Sequence, residues 1–366
     1  MPEFLQASIQ VLLGIGLLFG GGELFVQGSV AMAVIFGIPQ LVIGLTVVSL
    51  GTSAPELFVS LSSVLQGADA LAVSNVVGSN IFNVMVVLGS SALVLPLRVE
   101  SRLVRRDVPL MIAISAAVWG MASAGRVTWQ AGLALLLGLV INTVWEIRTA
   151  REEPDDSGSA EPEISDEANK GGLIPASVRI IAGISVLSIG SRVLVNGAVN
   201  AATLLGVSEA VIGLTIVSAG TSMPELITSL VAALRGRTDL AIGNVVGSCL
   251  LNLMLVLGAG AIAAAGRGLE VSPELIQEDL PIMLLTSLAC MPIFWTKGRI
   301  SRLEGGLLLG LYVLYLVDNV LPRTAMATWA DEFRLVMLCA VIPIVMIVIF
   351  TQAVFYWRDN QNSPTT

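Results

Sequence analysis

Long apolar runs recur along the whole chain and are separated by short polar stretches. They cover Leu5 to Val26, Leu41 to Leu65, Leu71 to Leu95, Val108 to Met121, Val127 to Ile147, Leu173 to Leu194, Val211 to Leu234, Leu240 to Ala264, Leu280 to Trp295, Leu303 to Leu321 and Leu335 to Trp357. A hydrocarbon core asks for about 20 residues per helix, so the pattern predicts an all-α polytopic membrane protein with eleven helices, the fourth and ninth short. Composition agrees with this class: 55% of the 366 residues are hydrophobic and 13% are charged, outside the range of soluble domains. The start, MPEFLQASIQ, carries Glu3 and no basic residue. It lacks the charged head of a cleavable signal peptide, so the first helix is expected to remain.

A second pattern lies beneath the first. Shifted by 169 positions, GLTVVSLGTSAPEL at 44 to 57 falls on GLTIVSAGTSMPEL at 213 to 226 without a gap, and NVVGSNIFN at 75 to 83 falls on NVVGSCLLN at 244 to 252. LFVQG at 24 to 28 likewise falls on VLVNG at 193 to 197, and more than half the positions between 44 and 89 match their partners. This is an internal duplication. Equivalent helices are five spans apart, an odd number, so the copies are expected to cross the membrane in opposite directions. Two inverted five-helix repeats, ten core helices in all, are an arrangement used by secondary transporters, with the substrate site at the midplane where the repeats meet. The eleventh helix has no partner and is expected to be an appendage.

Charge divides the chain further. The net charge of −8 gathers in REEPDDSGSAEPEISDEANKGG after Ala150, a run too polar to bury a core, which reads as a solvated linker. The expected organisation is a first repeat over 1–148, an acidic cytoplasmic linker over 149–172, a second repeat over 173–321, and the appended helix and tail over 322–366. Arg98, Arg102, Arg105 and Arg106 follow helix 3, Arg148 and Arg151 follow helix 5, Arg235 and Arg237 follow helix 7, and Lys297, Arg299 and Arg302 follow helix 9. The positive-inside rule then places the amino terminus outside, these loops in the cytoplasm, and the carboxy terminus in the cytoplasm after an eleventh span.

The repeated motif carries the chemistry. Proline lacks an N–H and clashes with the preceding turn, so Pro55 is expected to release the carbonyl of Gly51, and Pro224 that of Gly220. Polar backbone at membrane depth persists only where something satisfies it, and a cation would. Glu56 and Glu225 follow the prolines; Thr52 with Glu56, and Thr221 with Glu225, share a helical face, flanked by Ser53 and Ser222. Asn75, Ser79 and Asn83 form a stripe at four-residue steps, as do Asn244, Ser248 and Asn252. The set supplies oxygen alone, which suits hard cations such as calcium and sodium. The chain has no histidine, and Cys249, Cys290 and Cys339 sit apart in apolar runs as small hydrophobes, so zinc and copper are poorly matched.

Serine, threonine and asparagine also bind membrane helices together, and Ser49, Ser60, Thr46 and Ser218 fit that structural role as well as an ion-binding one. The glutamates do not. An ionised side chain at the midplane costs about 2.5 to 3.5 kcal/mol on insertion scales, a cost that packing has no need to incur. Glu23 and Arg192 are equivalent under the shift, but inversion puts them toward opposite faces, so they are not expected to pair.

The doubled G-T-S-x-P-E and N-V-V-G-S motifs, the second followed by Asn80 in the first copy and Cys249 in the second, resemble the alpha repeats of the calcium/cation antiporter superfamily, sodium/calcium exchanger branch, over helices 1 to 10. The resemblance implies exchange of calcium for sodium across a prokaryotic inner membrane by alternating access, with helices 1 and 6 sliding over a fixed core. It implies calcium at Glu56, Glu225 and the carbonyls of Thr52 and Thr221, and sodium at Ser53, Ser79, Ser222 and Ser248 with the glutamates, joined by Ser49 and Ser218. Asn83, Asn252, Asn75 and Asn244 would support these sites. Where many relatives carry an aspartate at one of the positions of Asn83 and Asn252, this chain has two amides, which argues against potassium cotransport. Three sodium ions per calcium are expected. Two carboxylates sharing a site repel, so protons could replace sodium in an alternative calcium or manganese antiporter. A passive cation channel and an intramembrane hydrolase using Ser53 or Ser222 fit less well, the second for want of a base. The expected partners are calcium, sodium and the bilayer, with no cofactor, nucleic acid or obligatory protein.

Overall fold

The computed structural model describes residues 2–152, 172–205, 218–295, 298–323 and 327–336, with residues 339, 340, 343, 347 and 351 besides. Most of the expected linker, the start of the seventh helix and most of the eleventh lie outside the described residues. Among those described, seven helices are long and apolar enough to cross a membrane, or eight if one bent pair is counted as a single span.

The first helix, α1 (Pro2–Phe36), and α7 (Leu173–Leu204) outrun their apolar patterns, which end at Val26 and Leu194. In the extra turns of α1 the Gln27 amide donates to Glu23 at 2.6 Å and the Ser29 hydroxyl to the Phe25 carbonyl at 2.8 Å, while Asn200 in those of α7 donates across to Gln10 of α1 at 3.3 Å. The two helices run antiparallel against each other. Gly14, Gly21 and Gly28 on α1 face Gly183, Gly190 and Gly197 on α7, all at seven-residue steps and all related by the repeat shift. A Cβ at Gly21 would lie 2.8 Å from the Leu187 amide nitrogen, and one at Gly183 2.7 Å from that of Phe25. Only glycine lets the backbones approach this closely.

The second span is broken. Helix α2 (Gln40–Thr52) and α3 (Ala54–Leu65) meet at 45°. Pro55 therefore stands in the first turn of a new helix rather than in a helix interior as the sequence suggested. That position tolerates proline because its missing N–H would have had no partner. The seventh span repeats the device, with Pro224 in the first turn of α8 (Met223–Leu234). Helices α4 (Asp69–Val94) and α9 (Thr238–Ala263) are the most deeply buried spans, and each contains a π-helical turn, over Asn83–Leu88 and Asn252–Val256. Helix α2 packs on α9 so closely that a Cβ at Gly243 would fall 2.6 Å from the Leu41 carbonyl oxygen.

Helix α5 (Val108–Ala122) follows a π turn at Leu103–Asp107, so the short fourth run gains length at its start. Helix α6 (Trp129–Glu152) carries on past Ile147 into the first residues assigned to the linker, since Arg148 to Glu152 are compatible with a helix in water. Helices α10 (Leu275–Trp295) and α11 (Arg302–Val320) complete the spans, with α12 (Ala330–Val336) beyond. Strand β1 (Leu97–Arg98) pairs antiparallel with β4 (Arg299–Ile300), and β2 (Arg126–Val127) with β3 (Leu269–Glu270). These ribbons sit at opposite ends of α5. The arginine-rich loops before α5 and before α11 are thereby gathered on one face, as the charge pattern requires.

Candidate ion-binding site

Both glutamates lie in the first turns of the half-helices α3 and α8, where the helix dipole favours negative charge. Both are fully buried. Each is held by the other copy of the motif: Ser222 donates to Glu56 Oε1 at 3.0 Å, and Ser53 donates to Glu225 Oε1 at 3.1 Å. Ser222 also lies 3.1 Å from the Ser79 hydroxyl. The second oxygens, Glu56 Oε2 and Glu225 Oε2, are buried without a hydrogen-bond partner, as is the Ser248 hydroxyl. No arginine or lysine pairs with either glutamate among the described residues.

Asn75 and Asn244 brace the site. Asn244 accepts from the Thr52 hydroxyl at 3.1 Å and donates to Ser229 at 2.9 Å and to the Glu225 carbonyl at 3.4 Å. Asn75 accepts from Thr221 at 3.3 Å and donates to Ser60 at 3.0 Å and to the Glu56 carbonyl at 3.4 Å. Each asparagine thus ties a threonine of one copy to the backbone of the glutamate in the other. The hydroxyls of Thr52 and Thr221 are engaged in this bracing.

Asn83 and Asn252 differ. Both are fully buried, and both ends of each amide lack a hydrogen-bond partner. Each begins the π turn of its helix, and π turns concentrate at functional sites. Leaving such groups without partners in a dry interior costs about 1 to 3 kcal/mol each. The two glutamate Oε2 atoms and the hydroxyls of Ser248, Thr228 and Ser91 are likewise buried without a partner, and the carboxylate, amide and hydroxyl oxygens among these groups are of the kind that bind hard cations.

Other expected groups play different parts. The Ser49 hydroxyl donates to the Gly44 carbonyl at 2.6 Å and to that of Asn244 at 3.0 Å, holding α2 to α9, and Thr46 returns to the Val42 carbonyl at 2.6 Å. The side chain of Ser218 falls outside the described residues. The Gly220 carbonyl, expected to be open to a cation, accepts a hydrogen bond from Ser191 of α7. Sequence reasoning did not single out Ser191, whose repeat mate is Gly22, so the pattern held no polar pair to flag it. Cys249 and Cys290 are buried and unpaired.

Comparison with known proteins places this geometry. The sodium/calcium exchanger protein family matches residues 7–148 and 176–320. The putative antiporter CaxA of Alkalimonas amylolytica is 35% identical over 314 residues, 85% of this chain and 98% of its own. The inner membrane protein YrbG of Escherichia coli strain K12 is 32% identical over 326 residues, 87% of this chain and 99% of its own. The structure of the sodium-calcium exchanger NCX_Mj soaked with 10 mM Na+ and zero Ca2+ superposes with a TM-score of 0.72 at 29% identity, covering 86% of this chain and 98% of that one. A structure of the same exchanger soaked with 2.5 mM Na+ and 0.1 mM Ca2+ superposes at 0.71.

Proposed function

The chain belongs to the sodium/calcium exchanger protein family, and from that premise we propose that it exchanges one calcium ion for three sodium ions by alternating access. It is a multi-pass membrane antiporter rather than an enzyme. The observation that carries the ion assignment is the buried glutamate pair, each with one carboxylate oxygen held by a serine of the opposite motif and the other buried without a hydrogen-bond partner.

The chemistry follows from charge. One calcium ion neutralises both carboxylates, whereas sodium ions must use the same carboxylates and add hydroxyls and carbonyls around Ser53 with Ser248 and Ser222 with Ser79. The two loads therefore exclude each other, which makes the process an exchange. An unloaded carrier would expose two uncompensated glutamates to the membrane interior at roughly 5 to 7 kcal/mol. That suppresses the empty crossing by about four orders of magnitude and couples the ions without a separate lock.

In this reading the ten core helices form two inverted five-helix repeats over 1–148 and 173–321, with the amino terminus outside and the β1–β4 face in the cytoplasm. The relative named as an inner membrane protein supports a cell inner membrane, and the arginines gathered at β1 and β4 support the orientation. The two amides at Asn83 and Asn252 favour potassium-independent transport. Calcium uptake into sodium-loaded proteoliposomes, with sodium, potassium and proton gradients imposed one at a time, tests the assignment. Uptake driven by the sodium gradient alone is expected. Uptake driven only by a proton gradient would replace sodium with protons.

A further inference from the structure

The two repeats are alike in sequence but not in how they are covered. On α8, Ile227 and Val231 are 8% and 4% exposed because α1 lies on them; a Cβ at Gly22 would stand 3.1 Å from Ile227 and 3.4 Å from Val231. Their repeat mates on α3 are Phe58, which is 73% exposed, and Ser62, also exposed. The α1–α8 contact is closed, then, and its repeat-related counterpart between α7 and α3 is open. Inverted repeats supply the second state directly: the contacts are exchanged, α7 covering α3 and α1 leaving α8. The glycine seam fastens α1 to α7, so the two helices move together.

At the edge of the closed contact stands an ion pair. Arg235, which caps the end of α8, reaches Glu23 of α1 with two hydrogen bonds, 2.6 Å from Nη2 and 3.2 Å from Nε. Gln27 steadies the same carboxylate at 2.6 Å. The repeat mates are Arg192 on α7 and Gln66 at the end of α3, and Gln66 donates within its own helix end to Ser62. A guanidinium facing an amide forms no ion pair. The opposite state therefore has nothing equivalent.

We infer that the Glu23–Arg235 pair is a one-sided latch that holds α1 against α8 and biases the carrier toward the state closed at the β1–β4 face. Glu23 and Arg235 are positioning residues in this role: neither touches the ion site, and they set which side of the membrane the empty or loaded site faces. The inference rests on the alternating-access reading given above. An exposed ion pair of this geometry shifts a two-state balance by about two- to fivefold.

The test is thiol labelling in detergent, which needs no transport and so separates failure of the latch from failure of the antiport assignment. With the three native cysteines replaced by alanine, one protein carries Val231→Cys, under α1, and another Ser62→Cys, its open mate. Glu23→Gln is expected to speed labelling at position 231 by about two- to fivefold and to slow it at position 62. The charge exchange Glu23→Arg with Arg235→Glu should restore both rates. High salt should mimic Glu23→Gln in the otherwise unmodified pair of proteins, since screening weakens an exposed pair, and this arm stands even where a variant fails to fold. Unchanged rates, a parallel rise at both positions, or no effect of salt overturns the latch.

Discussion

Ser222, from the second copy of the motif, donates its hydroxyl to Glu56 of the first at 3.0 Å. Ser53 returns the contact to Glu225 at 3.1 Å. Each half of the protein thus orients the carboxylate of the other, and a site assembled in this way needs both halves folded together.

Removing one of these donors should be felt in sodium binding. Ser222→Ala deletes the contacts to Glu56 and Ser79, and the sodium concentration for half-maximal calcium release is expected to rise about two- to twelvefold, from about 0.5 to 1.5 kcal/mol per hydrogen bond. Sodium titration of calcium-loaded proteoliposomes reads this directly. An unchanged sodium dependence would remove Ser222 from the site.

The two amides lead to a second expectation. Asn83 and Asn252 offer carbonyl oxygens but no further negative charge, so exchange should proceed at full rate with potassium absent from both sides. Flux measured at clamped voltage and fixed sodium, with and without potassium, checks it. A strict requirement for potassium would contradict the reading.

The glycine seam makes a prediction about stability. Gly21→Leu drives a side chain into the backbone of α7 beside Leu187 and should cost about 1 to 3 kcal/mol, seen as a lowered Tm in detergent. Gly20→Ala, at a position with nothing within 4 Å of the added carbon, should leave Tm unchanged. Equal behaviour of the two variants would mean the seam does not hold α1 to α7.

The paired glutamates and the prolines beside them stood out in the sequence because the chain writes them twice. A proline beside an acidic residue in an apolar run has few physical explanations, and a duplicated one has fewer. The break in the span was not legible. Proline in a helix interior and proline in a first turn look the same in one dimension, and only the bend at Ser53 separates them. Asn75 and Asn83 likewise share a stripe, yet Asn75 is spent on bracing and Asn83 is left without a partner. That difference comes from the partners across the interface and from a π turn that carries no residue signature. Glu23 could be excluded from pairing with Arg192, but its contact with Arg235 depends on how α1 lies across α8, which one repeat alone does not specify.

The proposed coupling of three sodium ions to one calcium would make transport electrogenic. Three sodium ions descending a tenfold gradient, with one net charge crossing 100 mV, supply about 6.5 kcal/mol, enough for a roughly ten-thousandfold calcium gradient. Two sodium ions, electroneutral, supply about 2.8 kcal/mol and roughly a hundredfold. An inside-positive potential should therefore speed calcium entry into sodium-loaded proteoliposomes. Reversal points that follow the square of the sodium ratio and ignore voltage would rule out the third ion.

The central claim is that Glu56 and Glu225 together hold the exchanged ion, and sodium-driven calcium uptake by Glu56→Gln and Glu225→Gln tests it most directly. Each substitution keeps the shape of the side chain and removes half the negative charge that replaces calcium hydration. Both proteins are expected to elute as folded carriers on size exclusion and to lose at least nine-tenths of uptake, a loss of about 1.4 kcal/mol or more in transition-state or binding free energy. Near-normal uptake by either folded variant would contradict the account.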